Sequence, residues 1–359
     1  MKISKFPYLV QKEILDEMEY QNLFLLSFVS KNMKKLIKTS QKKRFGSISH
    51  IKYECCRCSS NALAIYIPFK DRVDYILECL DPVTDLMDSD PFQLNVSGRL
   101  IDFRMDNVNQ RTIASTLLYE NESVLKSIHN YIMDLFGTSM DYDWKIFTED
   151  KKLRIPQLQN LSGCAITQFQ NSAIWMELEL EEHFFSSSPV LKWIYLHIGS
   201  LKAFSPDSKF YMTESIDIFK MEGGQDILRY FQGRQAILYV CRYKSLDFIE
   251  FINRWKSGNA FRKLEYLMCH DFSSYQSIEN EVLNAVGAKY IDAIKKPPTH
   301  TLPLVHVNFD NKPNTDPITS YAYVVRETDG HVASILFQGT NFRFGVWDNT
   351  EEEFLRMME

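Results

Sequence analysis

Ala236-Ile-Leu-Tyr-Val-Cys241 and Arg262-Lys-Leu-Glu-Tyr-Leu267 begin 26 residues apart, and Leu246, Ile249, Phe251, Ile252 and Trp255 stand between them at helical spacing. Short apolar runs rich in branched and aromatic residues read as strands, and recurrence at three and four residues reads as one face of a helix. A strand that returns to a strand through a helix implies parallel pairing and a crossover. The same pattern continues outward. Leu63–Ile67, Leu100–Met105, Trp175–Leu180, Trp193–Ile198, Ile237–Cys241 and Leu264–Met268 are β-like, and Glu122–Phe136 offers Val124, Leu125, Ile128, Ile132, Leu135 and Phe136 to one side of a helix. The expected class is α/β in the mixed, α+β sense.

Val190-Leu-Lys-Trp-Ile-Tyr-Leu196 is similar to the segment from Arg262, and a 26-residue spacing falls in the leucine-rich-repeat range. Only two or three units are visible and no Asn ladder accompanies them, so residues 51–295 are expected to form an irregular leucine-rich-repeat-like α/β array. Lys296 to Pro317 carries Pro297, Pro298, Pro303, Pro313 and Pro317 and reads as an exposed connector. Beyond it, 318–359 reads as a β-hairpin or meander. Tyr321, Tyr323 and Val325 alternate with other residues, Asp329-Gly330 tolerates positive φ, Val332, Ser334 and Leu336 resume the alternation, and Gly339-Thr-Asn341 turns into Phe342, Phe344 and Val346.

The amino end differs electrostatically. Residues 1–50 hold ten Lys/Arg against four Asp/Glu, a net +6, which against the chain's −5 leaves −11 on residues 51–359. Lys31, Lys34, Lys35, Lys38, Lys42, Lys43 and Arg44 give a solvated basic face on a helix. Without stacking aromatics beyond Phe45, that face suits solvent or an acidic protein partner better than nucleic acid or membrane. Three short helices are expected. Pro7 suits a first turn, Leu9, Val10, Ile14 and Met18 follow at helical spacing, and Glu13, Asp16 and Glu17 lie on the other side. Leu23 to Phe28 is too apolar all round for a surface helix, so it is either a buried strand or a helix covered on two sides. Ser30 can cap a third helix carrying Met33, Leu36 and Ile37. So small a unit has little core of its own and should expose apolar surface unless something packs on it.

With 45% apolar and 24% charged residues the chain has an ordinary globular composition. Its longest apolar runs fall far short of a bilayer span, and no apolar stretch follows the first lysines, so an intracellular (cytoplasmic or nuclear) location is expected. Seven cysteines, an odd number, then read as free thiols, and the sequons at Asn95, Asn121 and Asn160 as unmodified.

Chemical motifs are sparse. Cys55-Cys56-Arg57-Cys58 holds one Cys-x-x-Cys but lacks the second ligand pair of a structural zinc site. Cys269-His270-Asp271 has the residue types of a nucleophilic triad, yet neighbours on a strand point to opposite faces. Glu177, Glu179, Glu181, Glu182 and His183 alternate with Met176, Leu178 and Leu180 as the wet face of a strand would. Gly223-Gly224 belongs to no phosphate-binding pattern, and no enzyme signature is present. Neither catalysis, nor a cofactor, nor a metal is expected. Phe184, Phe185 and Tyr211, aromatics in polar surroundings, are either target contacts or core.

Phe6-Pro7, Ile14, Met18, Leu23 and Val29-Ser30-Lys31, then Lys34, Leu36 and Ile37, fall without a gap on the F-box pattern. The amino-terminal unit, residues 1–48, therefore resembles an F-box, the helical module that ties a protein to the Skp adaptor of Skp–Cullin–F-box ubiquitin ligases. Phe6 and Met18 replace leucines, and Lys34 stands where many members have Trp. Phe251, Trp255, Gly258, Leu264-Glu-Tyr-Leu267, Arg326, Asp329-Gly330, Ala333-Ser-Ile335 and Phe344-Gly-Val-Trp347 resemble the type-2 F-box-associated region that follows the F-box in a large nematode-expanded family.

The resemblance implies a non-catalytic substrate receptor. Phe6, Pro7, Leu9, Ile14, Met18, Leu23, Val29, Leu36 and Ile37 would contact a Skp-family adaptor, and through it a cullin ligase. Residues 51–359 would hold an unidentified protein target, with Trp255, Gly258, Leu264, Leu267, Arg326, Asp329, Gly330 and Trp347 as structural motif positions. The alternative is a repeat-like interaction scaffold uncoupled from ubiquitin ligation, whose first helices merely cap it. A hydrolase or zinc protein using the cysteines is a third reading.

Overall fold

A computed structural model describes residues 3–57, 62–80, 90–106, 111–115, 122–150, 152–153, 155–168, 177–180, 182–201, 203–219, 224–239, 243–270, 276–306 and 312–358. The chain divides into two compact units, Met1–Asp150 with Ile155–Phe169, and Lys151–Arg154 with Gln170–Glu359. The amino-terminal helices thus share a unit with the sheet that follows them, and residues 51–359 are split between the two. No described helix is long and apolar enough to cross a membrane.

The first unit opens with a 3₁₀ turn, Ile3–Lys5, and four helices: α1 (Tyr8–Asp16), α2 (Tyr20–Leu26), α3 (Lys31–Ser40) and α4 (Lys42–Gly46). The expectation of three helices is corrected. At Gln41 the backbone leaves the helical region (φ −92°, ψ 7°), and its side-chain amide reaches Asp16 Oδ1 at 2.6 Å, so Lys42, Lys43 and Arg44 begin a separate turn. The apolar run from Leu23 resolves as a helix, not a strand.

The sheet of this unit runs Phe92–Val96, Arg99–Met105, Thr112–Ser115, Val73–Leu80, Ala62–Pro68, His50–Cys56, Asp141–Thr148 and Leu161–Gln168 in spatial order. His50–Cys56 and Ala62–Pro68 alternate half-buried and buried side chains, as a strand with one covered face must. The cover is α5 (Glu122–Phe136), which follows the Thr112–Ser115 strand in the chain and leads into Asp141–Thr148, the parallel neighbour of His50–Cys56. On α5, His129 packs against Tyr53 and Tyr142 of those strands, with ring centres 5.5 and 5.0 Å away.

In the second unit four parallel strands, Trp193–His197, Ser215–Phe219, Gln235–Tyr239 and Tyr266–His270, pair in chain order. Their starts lie 22, 20 and 31 residues apart, an uneven spacing in place of the 26-residue period. The last strand begins later than expected because Phe261 takes a positive φ of 58° and Arg262-Lys263 turn before Tyr266. Between the last two strands lies Ser245–Lys256, which buries Phe248, Phe251, Ile252 and Trp255, whereas Leu246, expected on that face, is exposed. An antiparallel meander, Ala322–Val325, His331–Gln338 and Asn341–Thr350, continues the sheet from Tyr266–His270, with the turns at Asp329-Gly330 and Gly339-Thr340 as expected. Gly330 and Gly339 both have positive φ.

The proline-rich stretch is less free than a connector. His300 Nε2 donates to Val346 O at 2.9 Å, Gln235 binds Pro303 O and Val305 N at 2.9 and 3.0 Å, and His306 stacks on Trp193 at 3.5 Å. Glu177–Leu180 is a strand beside Lys152–Leu153 and Ser200–Leu201, while Trp175, Met176 and Glu181 lie outside the described residues.

Candidate functional site

The helices of the first unit divide their apolar side chains sharply. In α2, Tyr20, Leu23 and Phe24 are buried, and Tyr20 packs among Phe45, Phe69 and Phe136 with ring centres 6.0 to 6.3 Å away. In α1 only Leu15 is buried. Tyr8, Leu9 and Val10 are 52%, 72% and 41% exposed, and Val29, at the α2–α3 elbow, is 71% exposed. Three consecutive apolar residues cannot share one helix face, so the first turn of α1 must show some of them to solvent. Leu9 and Val29 are the most exposed large apolar side chains of the amino-terminal helices among the described residues.

Several polar contacts make that scaffold stiff. Lys12 donates to Asp16 Oδ2 at 2.6 Å and, with Gln41, holds the Asp16 carboxyl below the usual carboxylate range. Arg44 binds the carbonyls of Leu15 and Asp16 at 3.3 and 3.1 Å, satisfying the carboxyl end of α1, and lies over the Tyr20 ring. Ser30 caps α3, its Oγ accepting from Met33 N at 3.1 Å. The basic face is split. Lys34 and Lys38 both pair with Asp134 of α5 at 2.6 Å, while Lys31, Lys35, Lys42 and Lys43 remain exposed. Burial works against ionisation of Asp134, but the two ammonium groups hold its carboxyl below the ordinary range.

Beneath these helices His129 is buried and neutral. Desolvation lowers its pKa to about 4, its Nε2–H donates to Gln159 O at 2.7 Å, and Nδ1 accepts from Tyr53 OH at 2.9 Å. The two bonds fix one tautomer and stitch α5 to the sheet.

Residues 3–45 match the F-box domain. The F-box therefore takes in the first 3₁₀ turn and α1 through Phe45 of α4. No curated protein and no solved structure matches the chain.

Of the expected adaptor-contacting residues in this F-box, Pro7, Leu9 and Val29 are exposed, and Phe6, Ile14, Met18 and Leu36 are half-buried. Leu23 and Ile37 are fully buried within the chain, so neither offers a docking surface as folded. Periodicity placed them on an apolar face without saying what that face meets. Tyr8 and Val10 belong with the exposed set, and the consecutive run Tyr8-Leu9-Val10 was the signal for them.

In the second unit the motif residues Trp255, Gly258, Arg326 and Asp329 converge at one join. Trp255 lies under the Arg326 guanidinium at 5.0 Å and against the edge of Phe344 at 5.2 Å. Arg326 pairs with Asp329 at 2.9 Å; although burial opposes it, Arg326 and His331 hold the Asp329 carboxyl down to about 2. Gly258 has φ +71°, and a Cβ there would come 2.5 Å from Thr328, so this close approach of helix end and turn admits only glycine. Glu327 N donates to Lys256 O at 2.8 Å in the same join, Leu264 and Leu267 are buried, and Trp347 Nε1 donates to Ser334 Oγ at 2.9 Å. This is core architecture. Phe184, Phe185 and Tyr211 are core as well, with Phe185 5.1 Å from Phe204 and 5.3 Å from Phe210.

The cysteine motifs are described only in part. Cys55 is buried and Cys56 half-buried, Cys269 is buried, and Cys58, Cys241, Asp271 and Gly223 lie outside the described residues. Burial pushes the Cys79 and Cys164 thiols up, away from reactive thiolate. Among the described residues no group of three or more His, Cys, Asp or Glu is placed to hold a metal ion.

Proposed function

We propose that this chain is a non-catalytic substrate receptor of a Skp–Cullin–F-box ubiquitin ligase, and that its F-box docks on a Skp-family adaptor. The observation that carries the reading is the coincidence of the F-box match with exposed apolar side chains, Leu9 on α1 and Val29 at the α2–α3 elbow above all, while Leu15, Leu23, Phe24 and Ile37 of the same helices are buried. A few aliphatic anchors of this kind supply most of the energy of a docking interface. The exposed Lys31, Lys35, Lys42 and Lys43 add a positive rim, which suits an adaptor with an acidic docking face and speeds encounter.

In this reading the remainder, 51–359, is an F-box-associated region of the type-2, nematode-type class and holds the target. The convergence of Trp255, Gly258, Arg326 and Asp329 into one join supports the motif positions as structural. The receptor contributes proximity and orientation, bringing target lysines to a recruited conjugating enzyme. The test is co-purification of the full chain with a Skp-family adaptor, beside a Leu9→Asp, Val29→Asp double variant. Binding by the wild type and none by the folded variant is expected. A wild type that fails to bind a well-behaved adaptor favours the uncoupled scaffold instead.

A further inference from the structure

We propose that Tyr131 of α5, outside the matched F-box residues, is a positioning residue for the docking surface, the aromatic wedge on which the α2–α3 elbow and its Val29 are held. The proposal rests on the adaptor-docking reading. Three groups that bracket Val29 in sequence converge on this one ring. Phe28 stacks flat on it, centres 4.2 Å apart and planes within 8°. The Lys34 ammonium lies 3.5 Å from the ring centre, over the face that Phe28 leaves open, and is fixed there by Asp134 at 2.6 Å. Ser27 Oγ, which donates to Phe24 O, accepts from the Tyr131 hydroxyl at 2.7 Å.

The ring is buried, the Ser27 hydrogen bond on it is buried too, and Phe28 and Lys34 are half-buried, so these contacts are partly withdrawn from water, which strengthens them. Lys34 occupies the position where the F-box pattern often has Trp. Here α3 brings a cation instead, and the aromatic face it needs comes from α5. An exposed Val29 held between such contacts reaches an adaptor already ordered, which removes part of the entropic cost of docking.

Full-length wild type, Tyr131→Phe, Tyr131→Ala and Asp134→Asn are compared by titration with purified adaptor and by amide hydrogen exchange, well below each unfolding midpoint. Tyr131→Ala is expected to weaken binding about tenfold and to speed exchange across residues 27–38, with Tyr131→Phe, which keeps the ring, within about threefold of wild type. A folded Tyr131→Ala with wild-type affinity and exchange overturns the proposal. If the wild type itself does not bind, the docking reading falls, and exchange alone decides whether Tyr131 holds the elbow. Should Tyr131→Ala not fold, Lys34→Met with Asp134→Asn loosens the other face of the ring. Faster exchange at 27–38 then supports the wedge, and unchanged exchange overturns it.

Discussion

Helices α1 and α2 are neighbours in the chain and both apolar, yet α1 buries one residue and α2 buries four. The difference lies in what each meets. α2 is surrounded by aromatic rings from α4, α5 and the loop at Phe69, so its side chains leave water. α1 is held by its polar contacts through Lys12, Asp16, Gln41 and Arg44, and its first turn has apolar side chains to spare. One helix therefore serves stability and the other is available for recognition, and mutations should separate the two roles.

The largest effect is expected at Leu23. Leu23→Asp removes a fully buried side chain and places a carboxylate in the interior, and should cost about 4 kcal/mol or more in urea unfolding. A loss under about 1 kcal/mol would mean that α2 is not tied to its surroundings as described.

Next comes acid sensitivity of the layer under α2. His129 has its folded pKa lowered to about 4, against an ordinary 6.5. As pH falls through 6.5 the unfolded chain takes up a proton that the folded chain refuses. Stability is thus full above about 6.5, falls between 6.5 and 4, and levels below; the contribution lost by pH 5 is about 2 kcal/mol. His129→Gln should flatten this slope relative to wild type. Equal slopes for the two proteins would remove His129 as its source.

Ser30→Ala tests the junction between the two roles. Losing the cap on α3 should cost about 1 kcal/mol, read as a lower thermal midpoint, with binding reduced only through fraying of the elbow. The smallest effect on stability is expected at Leu9. Leu9→Asp should change unfolding free energy by no more than about 0.5 kcal/mol while weakening adaptor capture. If Leu9→Asp unfolded the chain instead, the contrast between α1 and α2 would collapse.

Much of this was readable from residues alone. Glu122–Phe136 and the Ser30 cap stand where spacing placed them, as do the strands around Leu63, Leu100 and Trp193 and the turn at Asp329-Gly330. The errors share a cause. Leu246 belongs by spacing to an apolar helix face yet is exposed, Leu23 and Ile37, expected on a docking surface, are fully buried, and the proline-rich stretch, exposed over much of its length as expected, is nonetheless fastened by His300 and His306. Periodicity reports that a face is apolar. It carries no information about which element, if any, will cover that face.

Helix caps, turns and strand alternation are short-range matters, decided by dihedral preferences and by bonds between residues a few positions apart, and so they were legible one segment at a time. The fate of each apolar side chain, the neutral state of His129 and the pairing of Ser27 with Tyr131, 104 residues away, depend on groups that meet only when the chain has folded. Burial energy and desolvation belong to the assembled environment, and no local pattern of residues encodes it.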